Sequence, residues 1–400
     1  MLKHYKNILY PLIISLLFIF LFIGVHQISY IIALFIIVSI VISIINNKLN
    51  YYYNKSLLLI LLFFITHIIG IFYSTNKDIA TFDIEIKLSL FIFPLLFLFI
   101  SNLAQNKYNI ILNIYFSAAS FFSIFLISRL VYKLLIGISF NKLMYTNYSY
   151  FLHPSYYAMY SVFAIIIGIS LIKNKNKLHK ILLSLLILFN IISIFFSDSK
   201  SGIISLIIVL FFIFIKYVYN KSKSITILSL LLLIIAFIVT INTNSRMRTM
   251  FNVTTNYSKI LNNPNDYKES TGLRILSWYA TTQTIKKNPI VGVGTGDIKQ
   301  ELFIKYKELN FNKTLEIKMN VHNQFLETWL GQGIIGLFIL LLMFIIPFIK
   351  AIKNKDLLLQ GFLIIVFLNF LFESMLNTQA GTIFFAFFYS LLVSKNKSIS

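Results

Sequence analysis

Long apolar runs, separated by short stretches rich in lysine and asparagine, constrain the fold of this chain more than any other feature. Hydrophobic residues make up 58% of its 400 residues. Many of the runs reach about 18 residues, which is enough for a helix to cross the hydrocarbon layer of a bilayer. A soluble protein of this size does not need so many apolar residues to form its core. The sequence therefore predicts an all-α fold, a polytopic bundle of transmembrane helices.

Twelve runs are long enough to be spans at about 1.5 Å of rise per residue. They cover residues 8–25, 28–45, 57–73, 84–100, 109–137, 156–172, 179–197, 201–219, 225–242, 325–349, 357–372 and 378–394. We interpret the first run as a retained helix rather than a signal peptide, because no small-residue cleavage site follows it. Three parts result, namely residues 1–242 with spans 1–9, a large loop at 243–324 with amphipathic helices, and residues 325–400 with spans 10–12 and a tail.

The lysines of the short connections predict the orientation of the bundle. Every second connection, counted from the N-terminal segment, is rich in lysine, and Lys107, Lys216 and Lys350 are examples. The positive-inside rule places these connections in the cytoplasm. We therefore expect both termini to be cytoplasmic and the large loop to lie outside the cytoplasm.

Composition also excludes several classes of function. The net charge of +22 is spread over turns that flank the membrane, so we expect attraction to anionic lipids and no binding of nucleic acid. Without cysteine there is no disulfide, thiolate metal site or cysteine nucleophile. The cytoplasmic connections are too short for a nucleotide-binding fold, and no Walker-type glycine loop is present.

The middle of the large loop reads as a helix, a turn and a second helix. The first helix spans about 271–287 and carries one stripe formed by Ile275, Trp278, Thr282 and Ile285. We expect it to lie on the bilayer surface with Trp278 and Tyr279 at headgroup depth. The glycine-rich turn at 292–296 is either an ordinary turn, the favoured interpretation, or a set of N–H groups for a phosphate. Asp297 then predicts the N-cap of a short helix that ends near Leu309.

Three motifs in this region belong together. They are Arg274-x-x-x-Trp278, the segment Asn288-Pro-Ile-Val-Gly-Val-Gly-Thr-Gly, and His322-Asn-Gln-x-Leu326-Glu-x-x-x-x-x-Gly333-Ile-Ile-Gly336. In this combination they resemble the O-antigen ligase and O-antigen polymerase superfamily of bacterial envelope enzymes. The predicted layout of twelve spans with one large outer loop between spans nine and ten is similar as well.

The resemblance implies a glycosyltransferase in the bacterial inner membrane whose large loop is periplasmic. Such enzymes move a glycan from an undecaprenyl diphosphate carrier to an acceptor hydroxyl, without a nucleotide sugar and, for the ligases, without a required metal, so we expect no cofactor. The acceptor would be lipid A core, a growing glycan or a protein. The motifs do not separate ligase from polymerase.

Two residues of the motifs suit this reaction. A guanidinium offers forked donors to the oxygens of the leaving diphosphate, and Arg274 is the first candidate for that role. Arg246 and Arg248 are further candidates, although ordinary anchoring at the membrane interface would also explain them. His322 begins the tenth span and is the candidate to accept or orient the acceptor's proton. The resemblance implies that it is the family's essential histidine.

Other charges near the outer ends of the spans are candidates for binding the carrier or the glycan. Similar proteins usually carry Ser-Arg-x-Gly in the turn before span eight, where the arginine is implicated in diphosphate binding. This chain has Lys200 there, which keeps the charge but loses the forked geometry. We add Arg129, Lys87 and Glu373, because ionisable groups near lipid are costly unless they line a cavity.

Two alternatives remain open. A transporter or flippase of polysaccharide or lipid-linked oligosaccharide also has about twelve spans, although the nine-to-three division of this chain shows no repeat. A metal-dependent transferase would hold Mg²⁺ or Mn²⁺ on Asp83 and Glu85 and would lose activity in EDTA. We favour helix capping for those two carboxylates.

Overall fold

The computed structural model describes residues 2–25, 27–46, 49–172, 175–218, 244–255 and 257–395, with positions 231, 234, 235, 238, 239 and 242. Every regular element in this part of the chain is an α-helix or a short 3-10 helix. The predicted all-α fold is therefore confirmed. The predicted span at 225–242 falls mostly outside the described residues.

The helices form three groups along the chain. Before the loop lie α1 (Leu2–Ile23), α2 (Ile28–Ile45), α3 (Lys55–Tyr73), α4 (Lys77–Lys87), α5 (Ser89–Leu135), α6 (Thr146–Ser149), α7 (Pro154–Ile172), α8 (Lys177–Phe196) and α9 (Lys200–Val218). The loop contains α10 (Ser245–Thr254), α11 (Tyr257–Asn262), α12 (Ser270–Ile285), α13 (Ile298–Glu308) and α14 (Asn312–Glu316). After it come α15 (Gln324–Lys353), α16 (Leu357–Phe372) and α17 (Gln379–Val393).

Length and apolar composition identify the membrane helices. Six helices within the described residues can cross a bilayer, and shorter apolar helices cover Ile8–Ile23, Leu357–Phe372 and Gln379–Val393. The protein is thus an integral membrane protein. Helix α17 is its centre, since its residues from Gly381 to Val393 are all buried. Rings of α1, α5, α7 and α16 pack around its phenylalanines, many of them edge to face.

Helix α5 is too long to be one span, and it folds back on itself. Phe97 contacts the ring of Phe387 at 6.1 Å between centroids, and Tyr115 contacts the neighbouring Phe388 at 4.6 Å. A straight helix would separate positions 97 and 115 by about 27 Å. The two limbs of α5 therefore correspond to the predicted spans at 84–100 and 109–137, while α4 precedes them as a separate helix.

Helix α15 is also folded back, which corrects the predicted continuous span at 325–349. Gly333 interrupts it with φ +66° and ψ −167°. The rings of Phe325 and Phe344 lie 6.0 Å apart, although a straight helix would separate these positions by about 28 Å. Residues 324–332 thus form a half-helix that packs beside the membrane-crossing part. Gly333 is the point at which the chain reverses. The N-terminal end of the half-helix, next to His322, lies further along the membrane-crossing part, beside Phe344.

The turn 288–296 supports the break in α15. The N–H of Ile334, which has lost its helical partner, donates to the carbonyl of Pro289 at 3.0 Å. In return the N–H groups of Val293 and Gly294 donate to the carbonyls of Leu330 and Gly331 at 2.8 and 3.0 Å. The glycine-rich turn therefore packs against α15, and its N–H groups at Val293 and Gly294 already have acceptors. These contacts agree with the favoured interpretation as an ordinary turn.

The loop has a hydrophobic core of its own, which changes the predicted position of its first helix. Leu276 and Ala280 of α12 are buried against residues such as Leu302 and Tyr306 of α13. Helix α12 is thus a packed element with buried neighbours, and Tyr279 packs near Phe311 rather than serving only as an interfacial anchor.

Asp297 fastens the loop to the membrane helices instead of capping α13. Its carboxylate accepts hydrogen bonds from the N–H groups of Thr75 and Asn76 at 2.6 and 2.9 Å and from the Thr75 hydroxyl at 2.8 Å. Burial alone would raise the pKa of Asp297, but these donors outweigh it and lower the pKa. The predicted helix is present as α13, whereas the predicted side-chain cap is absent.

Replacing Gly333 with alanine should destabilise the protein strongly. A Cβ at this position would lie 1.9 Å from the carbonyl oxygen of Ile290, and the left-handed φ adds strain. Gly137→Ala is the matched control, because Gly137 also has a positive φ of +85° but open space around its Cβ position. We expect the control to lose only about 1–2 kcal/mol. Thermal unfolding in detergent measures both, and equal losses would contradict the described break in α15.

Candidate functional site

A buried carboxylate, Glu373, joins the two residues that the sequence singles out. Its Oε1 accepts a hydrogen bond from Nη2 of Arg274 at 2.6 Å, and its Oε2 lies 2.9 Å from Nδ1 of His322. The hydroxyl of Ser155 adds a third donor at 3.1 Å from Oε1. Glu373 follows the last residue of α16, so it stands at the end of a membrane helix and outside the helix itself.

The charge of Glu373 determines which nitrogen of His322 is free. Burial would raise the pKa of the carboxyl, but the hydrogen bond with His322 and the charge of Arg274 lower the pKa to about 2. The ionised carboxylate only accepts hydrogen bonds, so Nδ1 of His322 carries the proton that it donates. In the neutral imidazole Nε2 then holds the free lone pair. This is the arrangement of an oriented base.

The loop core holds the backbone before His322. Tyr306 donates its hydroxyl proton to Ser277 at 2.7 Å, and Ser277 donates in turn to the carbonyl of Asn320 at 2.9 Å. The side chain of Asn320 accepts the N–H of His322 at 3.1 Å. His322 itself has φ +50°, a conformation that a non-glycine residue adopts only when its surroundings impose it. The imidazole is thus placed by its neighbours.

Two more of the predicted cations, Lys200 and Arg246, lie near the group formed by Arg274, Glu373 and His322. Nζ of Lys200 donates to the hydroxyls of Thr271 and Ser270 at 2.7 and 3.2 Å, which brings it to the first turn of α12. The guanidinium of Arg246 stacks on the Tyr145 ring at 3.5 Å. Its Nη1 also donates to the Asp198 carbonyl at 3.2 Å.

Two other predicted residues, Arg248 and Arg129, have partners away from the site. Arg248 is exposed and donates to the carbonyl of Asn242. Arg129 donates to the carbonyl of Asn147 at 2.8 Å and lies 4.3 Å from the centre of the Tyr150 ring. These two guanidinium groups have local partners that account for their positions, so the structure does not bring them to Glu373.

Lys87 belongs to a separate buried cluster. It pairs with Asp83 one helical turn earlier and approaches the side-chain oxygen of Asn377 at 3.4 Å. Asn377 also donates to Glu327. Glu85, the other candidate metal ligand, is exposed, because positions 83 and 85 point in different directions on a helix. In the described part of the chain no group of three His, Cys, Asp or Glu side chains is placed to hold a metal ion.

The sequence offered Glu373 as a candidate, but it did not reveal the other residues that organise the site. Ser155, Asp198 and Tyr145 support the charged side chains, yet none stands in the motifs that point to the site. The short segment His153-Pro-Ser-Tyr before α7 was the available signal for Ser155, since a polar run at the end of an outer connection lies near the membrane surface. His153 is exposed beside the site, and its ring contacts those of Tyr145 and Tyr156.

Comparison with known proteins finds a partial match in this region. Residues 182–341 match the family model described as "O-Antigen ligase". An uncharacterized protein of Haemophilus influenzae (strain ATCC 51907 / DSM 11121 / KW20 / Rd) is 30% identical over 131 residues. That similarity covers 30% of this chain and 33% of the Haemophilus protein, so the match spans about a third of the relative's length.

Replacing Glu373 with glutamine should make stability less dependent on pH. The folded-state pKa is lowered to about 2, so the ionised carboxylate stabilises the fold above its unfolded pKa of about 4.3. This contribution is lost as the pH falls towards 2. We expect Glu373→Gln to lose about 2–3 kcal/mol at pH 7 and about half of that at pH 3.

Thermal unfolding at the two pH values measures this difference. Glu316→Gln is the control, because Glu316 is exposed and pairs with Lys313 at 3.0 Å, and an exposed pair contributes little. The same loss at pH 3 as at pH 7 in Glu373→Gln would show that the charge of Glu373 does not stabilise the fold.

Proposed function

Since the chain carries the O-antigen ligase segment of the O-antigen ligase and polymerase superfamily at residues 182–341, we propose that it transfers a glycan from a polyprenyl diphosphate carrier to an acceptor hydroxyl. The transfer takes place at the outer face of the bacterial inner membrane. The carrier is undecaprenyl diphosphate in this proposal. The acceptor is lipid A core, a growing glycan or a protein.

One observation carries the proposal, namely the bridge that Glu373 forms between Arg274 and His322. A base for a hydroxyl and a cation for a leaving diphosphate must lie within the length of one substrate. The bridge holds the two groups on opposite oxygens of a single carboxylate. Arg274 and His322 both lie within the matched residues 182–341, whereas Glu373 lies beyond them.

The acceptor reacts on the histidine side of this bridge. Its hydroxyl gives a proton to Nε2 of His322 while the oxygen forms a bond to the anomeric carbon of the donor sugar. The resulting imidazolium is stabilised by the ionised Glu373, which already accepts the proton on Nδ1. Glu373 thus orients the base and balances its charge.

The leaving group reacts on the arginine side. The bond between the anomeric carbon and the carrier phosphate breaks, and its electron pair leaves with the diphosphate. Arg274, Lys200 and Arg246 supply fixed positive charge to that group at the membrane surface. A single displacement of this kind inverts the configuration at the anomeric carbon. Product analysis that finds retention would reject it.

The half-helix of α15 supports the same chemistry. Its N-terminal end lies next to His322 and is capped by Asn323, whose side chain accepts the N–H of Leu326 at 3.0 Å. The positive end of the helix dipole favours negative charge near Glu373 and the reacting centre. Because this end is recessed below the tip at Gly333, a bound substrate is shielded from water that would otherwise hydrolyse the donor.

Replacing His322 with alanine should reduce glycan transfer by about 100-fold or more, because the acceptor loses its base. The assay uses purified full-length protein in liposomes with a polyprenyl diphosphate-linked glycan and an acceptor. His179→Ala is the matched control, since His179 is exposed at the start of α8 and, among the described residues, its ring bonds Asn176. Normal transfer by His322→Ala would reject the assignment of the base.

A further inference from the structure

A small cavity lies between the loop and the membrane helices, next to the Glu373 bridge. Its volume is about 100 Å³. Helix α12 contributes Thr271, Arg274, Ile275 and Trp278 to its wall, and Lys200 and Phe372 face it from α9 and α16. The cavity therefore lies where the loop meets the start of α9 and the end of α16.

Every polar side chain of the cavity wall can donate a hydrogen bond. Lys200, Arg274 and Trp278 only donate, and the wall also contains three hydroxyl groups that donate or accept, those of Ser201, Thr254 and Thr271. Among the described residues no carboxylate lines the cavity, and the remaining wall is apolar. Two cations, further donors and no carboxylate suit a ligand that only accepts hydrogen bonds and carries negative charge.

Two donors of this wall have no partner of their own. Nε of Arg274 and Nε1 of Trp278 are buried, and neither finds an acceptor among the described residues. Buried N–H groups are nearly always hydrogen-bonded in folded proteins, because an unpaired one loses its contact with water. The two positions are four residues apart, so both side chains lie on the same face of α12. Two unpaired donors on side chains that line one cavity are available to an acceptor that binds there.

We propose that this cavity holds one phosphoryl group of the carrier diphosphate and that Trp278 binds it through Nε1. This inference rests on the proposed function and adds a binding residue to it. The volume admits a phosphoryl group and is too small for an oligosaccharide. An indole N–H donates and never accepts, so Trp278 favours the fully ionised phosphoryl oxygen over a hydroxyl group.

The same geometry connects the phosphoryl site with the base. Arg274 lines the cavity, donates through Nη2 to Glu373 and has no acceptor for its Nε among the described residues. A phosphoryl group in the cavity therefore binds the same guanidinium that holds Glu373, and Glu373 in turn holds His322. Arg274 thus fixes the distance between the leaving group and the oriented imidazole.

The test measures binding of inorganic pyrophosphate to the purified full-length protein by titration calorimetry. Trp278→Phe keeps the aromatic ring and removes the donor, and we expect about tenfold weaker binding, since a hydrogen bond to a charged group is lost. Trp329→Phe is the control, because Trp329 donates to the carbonyl of Pro289 and lies outside the cavity wall. Unchanged affinity in Trp278→Phe together with loss of binding in Arg274→Ala would overturn the role of Trp278 and leave the proposed function intact.

A second measurement does not depend on the stability of Trp278→Phe. The chain has two tryptophans, so Trp329→Phe leaves Trp278 as the single fluorescent tryptophan. Pyrophosphate should change its emission over the concentration range of the calorimetric binding, and sodium chloride at equal ionic strength should not. An emission unchanged while pyrophosphate binds would overturn the inference. The transfer assay with His322→Ala tests the proposed function separately.

Discussion

The buried carboxylate of Glu373 is the interaction on which the rest of the site depends. A charge in a buried place is tolerated only when it is paired and hydrogen-bonded, and Glu373 has Arg274, His322 and Ser155 around it. These partners come from the large loop, from the chain before α15 and from the start of α7. One carboxylate thereby fastens the loop to the membrane bundle at the place where the chemistry is proposed.

The break in α15 positions this interaction relative to the other membrane helices. Gly333 permits a reversal that brings Phe325 beside Phe344, so the segment with His322 returns from the tip of the helix towards α16. Backbone N–H groups that lose their helical acceptor inside a membrane protein need another one. The carbonyl of Pro289 accepts the N–H of Ile334. The glycine-rich turn therefore supports the site indirectly, through its hydrogen bonds with α15.

The sequence predicted the all-α membrane fold and pointed to Arg274 and His322, because hydropathy and motif spacing are local signals. It did not identify Glu373 as the hub, since a contact between residues 274, 322 and 373 depends on tertiary packing. The sequence also signalled the reversal in α5 but not the one in α15. Asparagine and lysine marked the first as a gap between two spans, whereas Gly333 stood within a continuous apolar pattern. The packed position of α12 was missed because its partners lie in α13.

A double-mutant cycle on transfer rates tests most directly whether Glu373 and His322 act as one unit. Rates would be measured for wild type, His322→Ala, Glu373→Gln and the double variant under single-turnover conditions, with folded protein verified for each. If the carboxylate acts through the imidazole, the double variant is no slower than His322→Ala, so the two losses are not additive. Losses that multiply would contradict the account, because they would mean that the two side chains contribute independently.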